Sequence, residues 1–490
     1  MKVKNGLRYD KNGWIYVSLK GTPSECGYAY GVLVAKEIKD VFRMLDFFLY
    51  EENGYKREMF SDIVGGIWGP IMQANYPEYY EEMIAITKGA NASGTKVSLD
   101  DIILWNCLAS LDAIFGYVPK ILKNYPELNK KYGHLLNEEE AGASKNSKEG
   151  GDRCTGFIAV GSYTKDGKIV CGHNSFDNFM TGQFYNVVLD IKPTKGARIL
   201  MQTAPGKFSS ETDYYVTSTG FICTETTIGG FNKFELKDPI CCRIRAAMQY
   251  SKTLDEINDR LIKNNSGDYA NAWLIGDTNN NTIMRIELGL KYVNTEKKKD
   301  GYFIGFNGAY DPRIRNLECA NVGHYDVRRH QGARHVRLTQ LMEQHKGEID
   351  IPIAKEIMAD HHDIYLNKIN PCSRTCCSHY ELDDRAFMSD PGRPKPFQPR
   401  GAVDGIVCDT TLAKKMAFVG RWGSSCGMAF NKTEFCQRNI IWAIQEPYLH
   451  DRPSQPWTEF TITNGAKNTI KKKEEKVQQI KRTKKNKLKL

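Results

Sequence analysis

The sequence predicts an α+β protein in which helices layer on antiparallel sheet. Three observations carry that reading. After a short strand at Trp14–Leu19, residues 1 to about 135 read as largely helical. From Cys154 onward the hydrophobic period drops to two, and the alternating segments are divided by turn residues. Runs of strands are then followed by runs of helices, the pattern of segregated layers.

The elements follow in chain order. Thr22-Pro23-Ser24-Glu25 supplies an N-cap and a proline for the first helical turn. It leads into Cys26–Tyr50, which reads as one amphipathic helix, and further helices are expected at Pro77–Lys88 and Leu99–Ile114. Thr155–Gly161 and Lys168–Gly172 alternate around Lys165-Asp166-Gly167, a hairpin signal. Strands are expected at Tyr185–Ile191, Arg198–Thr203, Tyr214–Thr217 and Gly220–Thr224, followed by a helix pair across Ile240–Asn264. Strands return at Ala272–Asp277 and Thr282–Leu288, joined by Asn279-Asn280-Asn281. Arg334–Gln344 and Ile353–His361 read as helices, and Asp390–Gly401 as a Pro- and Gly-rich loop.

Composition narrows the class. At 490 residues, 41% apolar and 26% charged, the chain can bury a large core. No run of about 18 apolar residues is present, which argues against a membrane-spanning helix. The first residues lack the apolar core of a secretory signal, so the sequence reading expects a cytoplasmic protein with mostly reduced thiols among its fourteen cysteines. The net charge of +10 is concentrated in residues 471–490, which carry ten Lys or Arg and two Glu. Such a tail suits an anionic membrane surface, or simple solubilisation; nucleic acid is the less favoured partner. No phosphate-cradling loop or dinucleotide fingerprint occurs, and no cofactor is expected.

The chemistry concentrates at Cys154. A polar, turn-rich stretch, Asn137–Asp152, runs into a cysteine that opens a strand. A cut between Arg153 and Cys154 would give Cys154 both a thiol and a free α-amine. The reference pKa values are about 8.5 and about 7.7–8.0. Near neutral pH the amine can therefore take the thiol proton without a separate histidine base. This is the logic of N-terminal nucleophile hydrolases. An oxyanion hole is also required, with Asn271 the best candidate donor by residue type. The hairpin returns Gly172-His173-Asn174, read as a turn, beside Cys154, with Asp177 within reach. Taken singly, Cys154 is a buried strand-edge thiol and His173 a satisfied loop histidine. Their co-occurrence favours catalysis.

The segments Cys154–Asn174, Ala204–Glu235 (with Glu225-Thr226-Thr227), Asn264–Asp277 and the late Trp422–Asn431 are similar to the phospholipase B-like family. The Cys154 hairpin also resembles that of the related autoproteolytic acyl hydrolases of the penicillin acyltransferase type. The resemblance implies a four-layer αββα sandwich, with Cys154 as nucleophile after self-cleavage. It implies a polar orienting role for His173 and, with one residue of offset, a carboxylate at Asp177 that holds the new amine. Thr227 and Asn271 fall where relatives place oxyanion or positioning groups, and Arg285 is a further candidate beside Asn174. Relatives of the penicillin type often cleave after glycine, whereas here Arg153 precedes the nucleophile. The implied organisation is a helical segment at 1–136, a processing linker at 137–153, a catalytic domain at 154–465 and a basic tail at 466–490.

The reading that follows is hydrolysis of fatty-acyl phospholipid esters through a Cys154 thioester. The alternatives are an amidase or N-acyltransferase acting on amides, and an uncleaved binder of lipid or nucleic acid. Cys372, Cys376, Cys377 and His379 form one compact cluster without a matching second pair, so they read as loop thiols and no metal is expected. Arg328, Arg329, Arg334 and Arg337 read as a solvated basic helix face, with an anionic headgroup as the functional alternative.

Overall fold

The computed structural model describes residues 1–136, 154–210, 214–320, 323–384 and 395–463. The whole expected linker 137–153, Arg153 included, and the basic tail lie outside the described residues.

Two large sheets organise the chain. The first has ten strands, running from Lys2–Val3 at one edge to Val293–Lys298 at the other. Its neighbours are antiparallel except where Trp14–Gly21 lies parallel to Val187–Pro193. The second has seven strands, with Cys154–Val160 between Gly301–Gly305 and Val170–Asn178. The strand Cys154–Val160 also packs against Phe221–Thr227 and Asn271–Asp277 of the first sheet, so the two sheets meet at the strand that begins with Cys154. Gly305 allows this approach, because a side chain there would collide with Thr226. Helices Ile351–Met358 and His330–Gln344 cover the second sheet, and Pro23–Leu33 and Leu254–Ile262 contact the first. The chain is thus a mixed α/β protein.

Local sequence explains the helix starts. Thr22 Oγ1 accepts from the Glu25 amide, and the Glu25 carboxylate accepts from the Thr22 amide at 2.9 Å, a reciprocal cap. The expected single helix across Cys26–Tyr50 is instead two, Pro23–Leu33 and Ala35–Asn53, broken at Val34. The break lets the first of them lie almost backbone to backbone on Pro77–Ala92. A Cβ on Gly27 or Gly31 would strike the Glu82 or Ile86 carbonyl, and one on Gly89 would strike that of Tyr28. The helix Arg57–Asn75, which carries Pro70 internally, falls in the stretch read as largely helical, whereas the strand Gly6–Lys11 adds to the single early strand expected there.

The hairpin at Cys154 forms with a longer second strand than expected. Gly167 takes φ 72° in its turn, and Asp166 Oδ1 accepts from the Lys168 amide at 2.9 Å. Gly172-His173-Asn174 is not a turn but the middle of Val170–Asn178. Its alternation was hidden because all nine residues of that strand are buried, polar ones included.

Candidate active site

The strand Cys154–Val160 is buried along its whole length and pairs Cys154 with Ser175, Thr155 with Asn174 and Gly156 with His173. Directly opposed residues of an antiparallel pair share a face. Cys154, His173 and Ser175 therefore lie on one side, while Thr155 and Asn174 lie on the other.

The Cys154 thiol is 2% exposed and donates to Glu225 Oε1 at 3.6 Å. Tyr269 donates its hydroxyl to the same oxygen at 3.2 Å, and Thr227 Oγ1 donates to the Tyr269 oxygen at 2.8 Å. Asn307 Nδ2 donates to the Thr227 carbonyl at 2.8 Å, and Arg334 Nη2 donates to Asn307 Oδ1 at 2.9 Å. Arg334 Nη1 then returns to the start, donating to the Cys154 carbonyl at 2.7 Å and to Thr155 Oγ1 at 3.0 Å. The six residues form a closed circuit around the cysteine, through the backbone carbonyls of Thr227 and Cys154 as well as through side chains. Burial makes each of these bonds costly to break, because a stranded polar group has no water to turn to.

Arg334 corrects the expectation of a solvated helix face. It is fully buried, and its guanidinium lies 5.2 Å from the centre of the Phe176 ring. Arg337 turns to Asp360 at 2.6 Å and Arg328 to Asp326 at 2.7 Å.

His173 is fully buried, and burial pushes its pKa down to about 3, so the ring is neutral near pH 7. Its Nε2 lies 2.9 Å from the Glu225 carbonyl, which can only accept, so Nε2 carries the proton. The bare Nδ1 has no hydrogen-bond partner among the described residues. His173 thus grips the backbone of the residue whose carboxylate receives the thiol. Asp177 accepts the hydroxyl of Tyr185 and the Asn178 amide, with Arg400 Nη1 at 3.7 Å. Gln202 connects the Tyr185 carbonyl to Asp404, whose other oxygen takes the Ser175 amide at 2.9 Å. Burial lifts the Asp404 pKa to about 6 against the pull of those two donors.

Other expected residues are placed differently. Asn174 faces away, its amide donating to the carbonyls of Met358 at 2.8 Å and Cys376 at 3.0 Å. Arg285 pairs with Glu296, and its guanidinium lies 4.2 Å from the centre of the Tyr310 ring, outside the Cys154 circuit. Asn271 sits directly opposite Thr227 in the sheet. It is fully buried, and neither its Oδ1 nor its Nδ2 has a hydrogen-bond partner among the described residues. Arg153 lies outside the described residues. Glu225, Tyr269, Asn307 and Arg334 had not been named as site residues. The signal available for Glu225 was its place in Glu225-Thr226-Thr227, a charge inside an otherwise buried strand.

A cleft of about 890 Å³ lies elsewhere, lined by Arg8, Lys36, Arg43, Phe184 and His450 among others. None of the six circuit residues lines it.

A sequence profile of the family described as Phospholipase B matches residues 76–423, which include every member of the circuit. The chain belongs to the phospholipase B family. Individual relatives are more distant. "Phospholipase B" from Crotalus adamanteus is 27% identical over 248 residues, covering 45% of this chain and 42% of that protein. "Phospholipase B-like 1" from Homo sapiens is 26% identical over 255 residues, covering 46% and 42%. "Phospholipase B-like protein F" from Dictyostelium discoideum is 24% identical over 188 residues, covering 36% and 32%. The matched stretch thus spans less than half the length of these curated relatives. Within the family, the circuit gives this member a buried thiol held between a carboxylate and a backbone clamp.

Proposed function

We propose that this phospholipase B family member is an N-terminal nucleophile acyl hydrolase that cleaves fatty-acyl esters of phospholipids. The observation that carries the reading is Cys154 itself. It opens its strand, its thiol meets the Glu225 carboxylate and its carbonyl is fixed by Arg334. The family membership and the names of the relatives favour a lipid ester as substrate. In this reading the two facing sheets and their covering helices are the layers of an αββα sandwich.

Processing begins when the Cys154 sulfur attacks the Arg153 carbonyl. The C–N bond breaks, a thioester forms and the amine takes up the proton. Water then hydrolyses the thioester, leaving Arg153 with a carboxylate and Cys154 with a thiol and an α-amine. Glu225 is placed to receive the thiol proton in the first step. In turnover the amine takes that proton, the sulfur attacks the ester carbonyl and the alcohol leaves with the proton from the ammonium. Water releases the fatty acid from the acyl-enzyme and restores the thiol. Asn271 is assigned to the oxyanion, Thr227 and His173 to positioning and Asp177 to the new amine. Residues 1–136 stay bound after the cut, because Trp14–Gly21 pairs with Val187–Pro193 along seven residue pairs.

The test is intact mass and N-terminal sequencing of wild type beside Cys154→Ala, followed by fatty-acid release from phosphatidylcholine vesicles. A wild-type fragment beginning at Cys154, absent from the variant, together with fatty-acid release supports the proposal. Two full-length, folded, inactive proteins would overturn it. Cleavage with turnover of N-acyl amides alone would replace the ester by an amide.

A further inference from the structure

Behind the Cys154 hairpin, four side chains from three distant segments converge. His361 follows the helix Ile351–Met358, Cys377 and His379 precede the short turn Tyr380–Leu382, and Cys426 follows the strand Ala417–Trp422. One potential ligand atom from each lies within 4.8 Å of all the others. From this geometry we infer a closed, four-ligand Cys2His2 site for a zinc ion.

The distances fit a tetrahedral ion. Zinc–sulfur bonds of about 2.3 Å and zinc–nitrogen bonds of about 2.0–2.1 Å, at tetrahedral angles, set nitrogen and sulfur roughly 3.5 Å apart. His379 Nε2 lies 3.4 Å from Cys377 Sγ and 3.5 Å from Cys426 Sγ. The other His379 nitrogen, Nδ1, lies 2.7 Å from Glu381 Oε1. A carboxylate there fixes the tautomer that leaves Nε2 bare toward the two sulfurs, the usual outer support of a metal-bound histidine. His361 Nε2 is buried and makes no hydrogen bond among the described residues, and its ring centre is 5.1 Å from that of His379. Cys377 and His379 are themselves almost fully buried. Two sulfurs and two imidazoles suit zinc rather than a hard cation.

The four protein ligands leave no open position, so the ion is structural. On binding, two thiols lose their protons to solvent and the sulfurs take the metal. The site stiffens the support of the nucleophile hairpin. Next to Cys377, the Cys376 carbonyl accepts from Asn174, the residue paired with Thr155. Ser425, next to Cys426, donates to the Met358 carbonyl at 2.6 Å, and Asn174 donates to the same carbonyl. The His379 backbone bridges to Gly401, which pairs with Asp177. Sequence spacing missed the site because His361 and Cys426 stand outside the compact Cys372–His379 cluster and arrive through the fold.

The experiment is metal analysis of the full-length protein, expressed with added zinc and purified under reducing, oxygen-free conditions. About one zinc per chain is expected, falling at least five-fold in Cys426→Ser and in His361→Ala. Should those variants fail to fold, cobalt exchanged into wild type provides the second readout. Thiolate-to-cobalt charge-transfer bands and intense visible bands mark a tetrahedral sulfur-containing site. Folded wild type that holds neither zinc nor cobalt would overturn the inference. So would a Cys377–Cys426 disulfide found by mass spectrometry in that preparation. None of these readouts depends on hydrolase activity.

Discussion

Arg334 donates to the carbonyl oxygen of Cys154 at 2.7 Å across 180 residues of sequence. Its guanidinium also satisfies Thr155 and Asn307, so one buried cation holds the start of the Cys154 strand against a second segment. Arg334→Leu strands three acceptors at once. The expected loss is about 3–5 kcal/mol, because each buried acceptor left without its donor costs about 1–3 kcal/mol. Thermal denaturation should show the drop, and slower appearance of the Cys154 fragment should accompany it. Arg334→Lys should not rescue, because one ammonium cannot reproduce the planar fork. A lysine variant with wild-type melting would refute the clamp.

Asn271 tests the division between stability and catalysis. Its side-chain amide is buried with both polar atoms unpaired among the described residues. Asn271→Ala removes no hydrogen bond among the described residues, so melting should shift little. If the amide serves the oxyanion, turnover should fall about 10²–10³-fold while processed protein still accumulates. A large stability loss with intact specific activity would assign the residue to structure instead.

His173 sets an acid limit. Its native pKa is about 3 against a reference near 6.5, so the unfolded chain binds more protons between those values. Stability from the neutral ring is fully present above pH 6.5 and is lost as pH falls toward 3, at up to about 1.4 kcal/mol per pH unit. Wild type should therefore lose melting temperature between pH 6.5 and 5 more steeply than His173→Asn. Asp404 acts in the opposite sense. Its native pKa of about 6 lies above the reference 3.8, so its contribution is greatest below pH 3.8 and falls as pH rises toward 6. Asp404→Asn should steepen the acid slope. Parallel pH profiles for all three proteins would contradict both assignments.

Gly31 tests the helix packing. A Cβ at this position would meet the Ile86 carbonyl, a backbone atom that cannot rotate aside. Gly31→Ala is expected to destabilise by about 1–3 kcal/mol despite its better helix propensity. Gly94→Ala is a control with open space around it, although its φ of 86° adds local strain. A Gly31→Ala protein that melts at or above the wild-type temperature would show that the helices can separate at no cost.

The basic tail supplies a test of surface binding. Residues 471–490 hold ten of the chain's 68 Lys and Arg. Removing them should weaken binding to phosphatidylserine vesicles at low salt while leaving turnover of a soluble ester unchanged. Undiminished vesicle binding by the truncated chain would exclude the tail as the membrane contact.

The sequence by itself determined the parts of this protein that depend on near neighbours. The cap at Thr22, the turn at Lys165-Asp166-Gly167, the helix pair after Ile240 and the hairpin Asn271–Leu288 were legible because spacing and turn chemistry act over a few residues. The strand that begins at Cys154 was legible because the period changes to two after a turn-rich stretch. Only the tertiary structure decided what surrounds that cysteine. Glu225, Tyr269, Asn307 and Arg334 come from strands, a loop and a helix far apart in the chain, and His361 and Cys426 reach the sulfur–imidazole cluster in the same way. Such contacts carry no periodic signature. Arg334 shows the reason: on a sequence page an arginine in a basic helix is charge for solvent, and only packing against the Cys154 strand turns it inward.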